Sequence, residues 1–377
     1  MAEPFKNFLN QDVIEQMAHH FSKHSASFDK KAFIKDAVED LESLELKARS
    51  IRISETMIKH LPDDFNEVGN ILLSSLATVL NDDGSYEMSE KSGLSGWSIM
   101  PIDHFLALQG HEHFDLSMTL FKEVTKRFTT EFGIRYFLIK SPEKTMSVMK
   151  GWASDGNKHV RRLASEGCRP KLPWGMHLPM FIEDPTPVIE LLEILKDDDE
   201  EYVRRSVANN LNDIAKDHPE LVAEIAEKWM KDASKDRKRL IRHACRTLIK
   251  DGHTKALKVL GFEPPELQQA ELTIQTPEVL FGSALEFSLS LQSGVEHEQP
   301  MMIDFVIHHQ KANGTTSPKV FKWKTATLLP NKLLSMSKKH AIKKITTRVY
   351  YPGVHTLEVM VNGISIGKVG FQLVMPE

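Results

Sequence analysis

The sequence predicts a mostly helical chain, with stacked helices over residues 1–262 followed by an all-β domain over residues 268–377. Through the first 260 residues, apolar side chains recur at spacings of three and four, which is typical of amphipathic helices. A short motif in that region recurs at intervals near 40 residues. Beyond residue 268, apolar and polar residues alternate instead, as they do in half-buried strands.

Prolines, capping residues and breaks in the apolar periodicity set the predicted helix boundaries. Leu61-Pro62-Asp63-Asp64 ends one helix and caps the next, and Asn157 is suited to cap another. The polar, glycine-containing stretch 81–96 is predicted to be a loop. Helices are predicted at 13–21, 33–44, 46–61, 65–80, 114–128, 130–140, 142–152, 185–196, 200–216, 219–231 and 236–250, with others near Asp103 and after Asn157.

The recurring motif indicates a repeat architecture. His159-Val-Arg-Arg-Leu-Ala, Tyr202-Val-Arg-Arg-Ser-Val and Leu240-Ile-Arg-His-Ala-Cys align at offsets of 43 and 38 residues. Helix pairs with a period near 40 are typical of HEAT or armadillo units, which stack into an α-solenoid with a concave face. We therefore expect a HEAT-like α-solenoid in the first part of the chain.

Basic side chains occupy equivalent positions in the three units. On the concave face of a solenoid they would form a ladder of cations suited to a polyanion. The alternative is that these are outer-surface arginines bonded to helix ends, and the small number of units leaves both interpretations open. The recurring pairs are Arg161–Arg162, Arg204–Arg205 and Arg242–His243.

The C-terminal part of the chain is predicted to be an immunoglobulin-like β-sandwich. Alternating runs begin at Glu271, Ala284, Met302 and His355, and turn signals lie between them. Asn362-Gly363 between two alternating runs is a strong hairpin signal. Several antiparallel strands within about 110 residues are typical of such a sandwich.

Composition excludes several classes of protein. Hydrophobic residues make up 41% and charged residues 27%, as in ordinary globular proteins. The chain has only Cys168 and Cys245, so no disulfide framework is expected. MAEPFKNFLNQ lacks the apolar segment of a secretory signal, and the longest apolar stretch, 71–80, is too short to span a bilayer. We expect a cytoplasmic monomer that makes no contact with a membrane.

Positive charge is concentrated in two tracts although the net charge is −4. Residues 231–258 contain ten Lys and Arg against three acids, and residues 319–348 contain nine and no acid. Such a distribution favours a defined face that binds a polyanion, although a single basic run is more often solvated surface.

The stretch from Trp152 to Trp174 brings together the residue types that a nucleic-acid enzyme needs. Carboxylates, four cations and two indoles lie within 23 positions of one another: Asp155 and Glu166, then Arg161, Arg162, Arg169 and Lys171, then Trp152 and Trp174. The combination suits a protein that binds a polyanion while handling a positively charged group.

This stretch also carries a family resemblance. The run HVRRLASEGCRPKLPWG resembles the AlkC-type DNA alkylation repair proteins, a branch of the HEAT-repeat DNA glycosylases. Other matching segments span most of the chain: AEPFKNFLN at the start, LELKARSIRI at 44–53, TTEFGIRYFLIKSPE at 129–143 and SKKHAIKKITTRVYYPGVHTLEVMVNG at 337–363.

The resemblance implies a function in base excision repair. Members of the AlkC-type family excise small cationic lesions such as 3-methyladenine and 3-methylcytosine from double-stranded DNA. They resemble the AlkD type in acting without swinging the base into a deep pocket. Many of them carry an Ig-like domain at the C-terminus. Glu131 and Asp155 match the positions taken to be catalytic in that family. No cofactor is implied.

The chemistry is consistent with that role. An alkylated ring nitrogen makes the base a cationic leaving group, so its departure needs no general acid. A carboxylate can then stabilise the oxocarbenium-like sugar and orient water, as in glycoside hydrolysis. Trp152 and Trp174 could offer faces to the cation, and Arg162 and Glu166 could contact the substrate. The plainer alternatives are salt bridges for the acids and core packing for the tryptophans.

Other catalytic motifs are missing from the sequence. It contains no GxxxxGK[ST], no HExxH and no CxxC, and His111-Glu112-His113 with Asp115 is a poor metal cluster because adjacent residues rarely converge on one ion. We expect no metal site. No lysine is required as a Schiff-base nucleophile, so a monofunctional glycosylase is expected. The rival interpretation is a HEAT-repeat scaffold that binds protein or nucleic acid without chemistry.

The cations expected to contact DNA belong to both parts of the chain. Phosphate contacts would supply affinity without sequence preference. In the C-terminal domain they would let it clamp the duplex on the side opposite the solenoid. The expected DNA-binding residues are Arg161, Arg169, Lys171, Arg204, Arg205, Arg242, Arg246, Lys338, Lys339, Lys343 and Lys344.

Overall fold

The computed structural model describes residues 3–79 and 92–376. These form two compact units: Met1–Asp217 with Ser234–Ala244, called here the N-terminal unit, and His218–Ala233 with Cys245–Glu377, the C-terminal unit. The predicted boundary at 262–268 marks the change from helix to strand, whereas the division into compact units assigns three helices to the strand-rich unit.

The helical part contains sixteen α-helices in the described residues. They are α1 (Gln11–His24), α2 (Lys30–Val38), α3 (Leu46–His60), α4 (Phe65–Ser75), α5 (Ile99–Gln109), α6 (Phe114–Thr125), α7 (Ile134–Lys140), α8 (Pro142–Trp152), α9 (Lys158–Gly167), α10 (Pro179–Glu183), α11 (Thr186–Leu195), α12 (Glu201–Ile214), α13 (Pro219–Met230), α14 (Lys235–Ala244), α15 (Arg246–Lys250) and α16 (Thr254–Val259). Short 3₁₀ helices span Phe5–Phe8, Leu41–Ser43, Gly96–Ser98 and His111–His113.

Several predicted helices were too long. The helix predicted at 33–44 ends at Val38, because Asp40 adopts a left-handed conformation with φ of 57°. The helix predicted at 65–80 ends at Ser75, where the chain turns extended and Leu76 pairs with Leu94. Residue 80 and most of the predicted loop 81–96 lie outside the described residues.

Two further predicted helices also differ at their ends. The helix predicted at 130–140 begins only at Ile134, because the preceding residues form the turn that carries Glu131. The helix predicted at 236–250 is interrupted at Cys245, giving α14 and α15. The short helices α10 and α16 were missed, since neither is long enough to show a period.

The predicted repeat is visible in the contacts of its arginines. Helix α12 packs against both α9 and α14. Arg161 donates to the Asp155 carbonyl at 3.0 Å and pairs with Asp198 at 2.6 Å. One unit later, Arg204 donates to the Asp198 carbonyl at 2.5 Å and pairs with Asp236 at 3.2 Å. Arg161 and Arg204 occupy equivalent positions, and each binds the turn before its own helix and an acid of the next unit.

These contacts bear on the two interpretations of the cation pairs. Arg161 and Arg204 bond to the turns at the starts of α9 and α12, which is what the alternative of arginines bonded to helix ends described. Arg205 differs, because its side chain is exposed and pairs along its own helix with Glu201, which is also exposed, at 3.0 Å. The concave ladder therefore stays a prediction, with Arg205 better placed for it than Arg161 or Arg204.

The C-terminal unit contains two sheets facing a shared core, with β1 (Leu267–Ile274), β2 (Glu278–Leu280), β3 (Ala284–Ser293), β4 (Gln299–Gln310), β5 (Thr316–Leu328), β6 (Leu333–Ala341), β7 (Gly353–Val361) and β8 (Ile364–Val374). One sheet has the order β1-β3-β6 and the other β2-β8-β7-β4-β5. Apart from the parallel pair of β2 and β8, neighbours are antiparallel. Phe287, Phe305 and Val359 are buried between the sheets, so the predicted sandwich is confirmed.

The hairpin signal at Asn362-Gly363 is also confirmed. These two residues join β7 to β8, and both have positive φ, 48° and 80°, as a two-residue hairpin turn requires. The Asn362 side chain donates to the Pro300 carbonyl at 2.9 Å, which ties the turn to the start of β4. None of the described helices is long and apolar enough to cross a bilayer.

Candidate active site

A cavity of about 350 Å³ in the N-terminal unit is lined by predicted site residues that include Glu131, Glu166 and Trp174. Its walls are largely apolar, and its polar side chains lie close together. An apolar pocket with a few convergent polar groups is the usual form of a ligand site. It is lined by Leu46, Trp97, Met100, Phe128, Thr129, Glu131, Phe132, Glu166, Arg169, Leu172, Pro173 and Trp174.

Glu131 is held in this cavity by two donors. Arg162 donates to Glu131 Oε2 at 2.5 Å, and the Thr129 hydroxyl donates to the same oxygen. The Glu131 residue is 9% exposed. Burial raises the pKa of Glu131 from its usual value, although the positive charge of Arg162 opposes the rise.

Glu166 is the second acid of the cavity and is more fully bonded. Arg169 donates to Glu166 Oε1 at 2.7 Å, Arg162 approaches the same oxygen at 3.4 Å, and the Ser206 hydroxyl donates to Oε2 at 2.5 Å. Burial opposes ionisation of Glu166, but these partners outweigh it and lower the pKa. The cavity therefore contains a carboxylate held in its ionised form.

Arg162 and Arg169 link the acids into one network. Arg162 contacts both Glu131 and Glu166, and Arg169 bridges Glu166 to Asp213, to which it donates at 2.8 Å. Arg169 is buried, so its charge is directed at these carboxylates. Buried charges of this kind persist only when each is paired, and here each acid is.

Asp103 of α5 binds the turn that carries Glu131 by hydrogen bonds. Both carboxyl oxygens of Asp103 accept from the Gly133 amide, at 3.0 and 2.9 Å. A Cβ on Gly133 would lie 2.3 Å from Asp103 Oδ1, so only glycine permits this approach. Burial raises the pKa of Asp103 well above its usual range. Asp103 was not predicted to matter, although a lone acid in the apolar run IMPIDHFLAL was a usable signal.

The two predicted tryptophans have opposite environments. Trp174 lines the cavity mouth, is 69% exposed and adopts a left-handed conformation with φ of 63°. Trp152 is 6% exposed, packs in the core and is not among the cavity's lining residues, which matches the plainer alternative of core packing. Of these two predicted tryptophans, Trp174 is the one that presents its indole to a ligand of this cavity.

Asp155 is also not among the residues that line the cavity. Its carboxylate accepts from Lys122 at 2.6 Å and from the Asn157 amide at 2.8 Å, at the start of α9. Partial burial opposes its ionisation, but these two donors outweigh it and lower the pKa of Asp155. The structure therefore brings Glu131 together with Glu166, and it gives Asp155 a role in building the α9 turn.

The remaining predicted cations lie on both units. In the N-terminal unit, Lys171 pairs with Asp217 at 2.6 Å, and Arg242 lies on α14. Arg246 opens α15 of the C-terminal unit. The four predicted lysines lie on β6 or just after it, and one of them pairs with Glu286 on β3 at 2.7 Å: Lys338, Lys339 (the paired one), Lys343 and Lys344.

The chain is similar to known proteins over nearly its whole length. Residues 128–248 match the DNA alkylation repair enzyme family, and residues 268–375 match the C-terminal Ig-like domain of YhaZ. The uncharacterized protein YhaZ of Bacillus subtilis strain 168 is 35% identical over 370 residues, covering 98% of this chain and 99% of the relative.

A solved structure resembles the whole chain. It is the Pseudomonas fluorescens alkylpurine DNA glycosylase AlkC bound to DNA containing an abasic site analog, with a TM-score of 0.85 and 32% identity. The match covers 99% of this chain and 100% of that one. The chain belongs to the AlkC-type family of DNA alkylation repair proteins.

The AlkC-type assignment confirms the predicted family and the Ig-like class of the C-terminal strands. In this AlkC-type chain the matched segment 128–248 contains Glu131, Glu166 and Trp174. Three other lining residues come from earlier in the chain, namely Leu46, Trp97 and Met100. The cavity is therefore completed by helices that precede the segment matched to the family.

Proposed function

We propose that this protein is a DNA glycosylase that hydrolyses the N-glycosidic bond of cationic alkylated bases in duplex DNA. The observation that carries the proposal is the pair Glu131 and Glu166, joined through Arg162 in a cavity whose mouth bears the exposed Trp174. The similar protein from Pseudomonas fluorescens is an alkylpurine DNA glycosylase, which supports the same conclusion.

The proposed mechanism uses the charge of the substrate itself. A base alkylated on a ring nitrogen is already a good leaving group, so the enzyme need not protonate it. The ionised Glu166, with a lowered pKa, stabilises the positive charge that develops on the sugar. Glu131, whose pKa is raised by burial, is suited to orient a water molecule and accept its proton as the bond to the sugar forms.

This proposal moves the second catalytic acid from Asp155 to Glu166. Asp155 accepts from Lys122 and from the Asn157 amide at the start of α9, and it is not among the residues that line the cavity. Glu166 lines the cavity beside Arg169 and Trp174. A carboxylate must lie near the sugar to stabilise its charge, because electrostatic stabilisation falls with distance.

Recognition is proposed to rely on the DNA backbone and on charge. The exposed indole of Trp174 offers a cation–π surface at the mouth of the cavity, while cations such as Arg205 contact phosphates. A base that stays in the stack could be excised in this way, without flipping. We propose that the enzyme is monofunctional and leaves the strand intact.

A non-catalytic scaffold is the alternative, and the carboxylates argue against it. A surface that only binds DNA gains nothing from Glu131 and Glu166, since phosphates repel acids and each buried acid requires a buried cation. Their retention in a cavity with an exposed indole is explained by a cationic substrate.

The test is release of free base from duplex DNA containing an N-alkylated purine or pyrimidine. We expect the wild-type protein to release the base and to leave an abasic site that breaks only on alkali treatment, with no release from unmodified duplex. The double variant Glu131→Gln/Glu166→Gln is the matched control. Binding of the duplex by the wild type without any release of base would favour the scaffold.

A further inference from the structure

The N-terminal 3₁₀ helix Phe5–Phe8 is firmly attached to the N-terminal unit. Arg49 of α3 is 6% exposed and donates to the carbonyls of Lys6 and Leu9, each at 2.9 Å. Lys6 also pairs with Glu45 at 2.6 Å. A buried guanidinium that satisfies several carbonyls fixes a segment that would otherwise fray as chain ends do. The segment Phe5–Phe8 is therefore an ordered part of the N-terminal unit.

This segment extends the aromatic wall of the cavity. The Phe5 ring lies 6.0 Å from Trp97 and 6.5 Å from Trp174, meeting the latter edge to face. Phe8 stacks on Trp97 at 5.4 Å with an interplanar angle of 8°. Trp97 and Trp174 both line the cavity, so Phe5 contacts two of its lining residues.

Trp174 is held in a conformation that costs free energy. A bulky residue at φ of 63° is strained, and an indole that remains 69% exposed gains little from burial. Lys47 at the start of α3 donates to the Trp174 carbonyl at 2.6 Å and so supports this pose. Strain maintained by specific contacts is found at ligand sites, which indicates that the indole is kept outward for a ligand.

Packing alone does not account for Phe5. Trp97 is already covered by the parallel ring of Phe8, and Phe5 remains 55% exposed despite its three aromatic neighbours. Exposed Phe5 lies beside exposed Trp174 with an angle of 68° between the ring planes. Two electron-rich aromatic surfaces inclined to each other in this way are suited to binding an organic cation. The acids Glu131 and Glu166 further inside favour a positively charged occupant.

We infer that Phe5 contacts the substrate, and that Phe5 and Trp174 form an aromatic clamp that holds the cationic alkylated nucleotide at the mouth of the cavity. The inference rests on the proposed glycosylase function. It adds a specificity residue from the N-terminal segment, which lies outside the segment 128–248 matched to the repair enzyme family.

Phe5→Leu is the decisive variant, because it keeps apolar volume and removes the ring. Phe8→Leu is its matched control: the same change three residues away, on a ring that stacks on Trp97. Excision is measured under single turnover over a range of protein concentrations, with duplexes carrying a cationic N-methylpurine. We expect Phe5→Leu to raise the half-saturating concentration about fivefold, the scale of one cation–π contact of about 1 kcal/mol.

Three further readings separate a clamp from a structural role. Affinity for unmodified duplex and the melting temperature should stay at wild-type values in Phe5→Leu, and Phe5→Tyr should restore the half-saturating concentration because it restores the ring. Equal effects of Phe5→Leu and Phe8→Leu, or no effect of Phe5→Leu, would overturn the clamp while leaving the glycosylase intact. Absence of base release by the wild type would instead overturn the proposed function and the clamp with it.

Discussion

Arg162 donates to Glu131 at 2.5 Å, yet burial still raises the pKa of that acid. The same guanidinium approaches Glu166 at 3.4 Å, so one cation serves two acids. Removing it would leave two buried carboxylates with too little positive charge, which typically costs about 3–5 kcal/mol of stability. Arg162→Ala would therefore change the stability of the fold and the active site together. Variants at other residues are better probes of the active site alone.

Conservative amide variants distinguish the roles of the three carboxylates. We expect Glu131→Gln and Glu166→Gln each to slow base release on the order of 10²-fold or more while DNA affinity is kept, since each amide removes a well-placed charge. Asp155→Asn should release base at close to the wild-type rate, because Asp155 is not among the residues that line the cavity. The measurement is single-turnover release. A normal rate in Glu166→Gln with a large loss in Asp155→Asn would return the second catalytic role to Asp155.

Arg205 is the better probe of the predicted cation ladder, because its side chain is 63% exposed and its partner Glu201 is exposed too. Arg205→Ala should weaken binding to any duplex and reduce the log–log salt slope by roughly one. Arg205→Lys keeps the charge and should keep the slope. Titration of labelled duplex at several salt concentrations checks this. An unchanged slope in Arg205→Ala would place this arginine away from DNA.

The basic tract of the C-terminal unit is tested by charge reversal. Lys343→Glu with Lys344→Glu should weaken DNA binding without changing the melting temperature, since both side chains are exposed. Lys311→Glu, on an exposed lysine outside the tract, is the control. Intact binding in the double variant would show that this part of the tract does not bind DNA.

Truncation at residue 268 is a poorer test of the same tract. Leu257 and Phe262 precede that residue but bury against Met302 of β4. Cutting there would expose them, so a loss of binding could reflect damaged packing. Charge reversal leaves this cluster unchanged.

Acid should destabilise the C-terminal unit through His309. This ring is buried and accepts from Arg348; burial first, then the charge of Arg348, lower its pKa to about 3. In the unfolded chain the pKa returns to about 6.5. Between these values the unfolded state binds a proton that the folded state refuses, so stability falls as the pH drops below about 6.5. His309→Gln should flatten the fall in urea midpoint between pH 7 and pH 5. An equally steep fall in that variant would exclude His309 as the cause.

The sequence alone determined the features that depend on short windows of chain. Apolar spacing predicted most helices, since a helix repeats every 3.6 residues whatever it packs against. The Asn157 cap and the Asn362-Gly363 turn were readable because each depends on local backbone geometry. The repeated His159 and Tyr202 motifs predicted the stacked units, and α12 does pack on α9.

Only the tertiary structure decided which acids and which indole share a cavity. Glu166 is held in the cavity by residues that are distant in the sequence. Ser206, which donates to Glu166, lies 40 positions from it. Asp213, which accepts from the Glu166 partner Arg169, lies 44 positions from that arginine. Sequence spacing cannot reveal such partners, because they arise when separate helices pack. Trp152 and Trp174 are the same residue type in one stretch, and only the packing of α8 and the strained turn after α9 buried one and exposed the other.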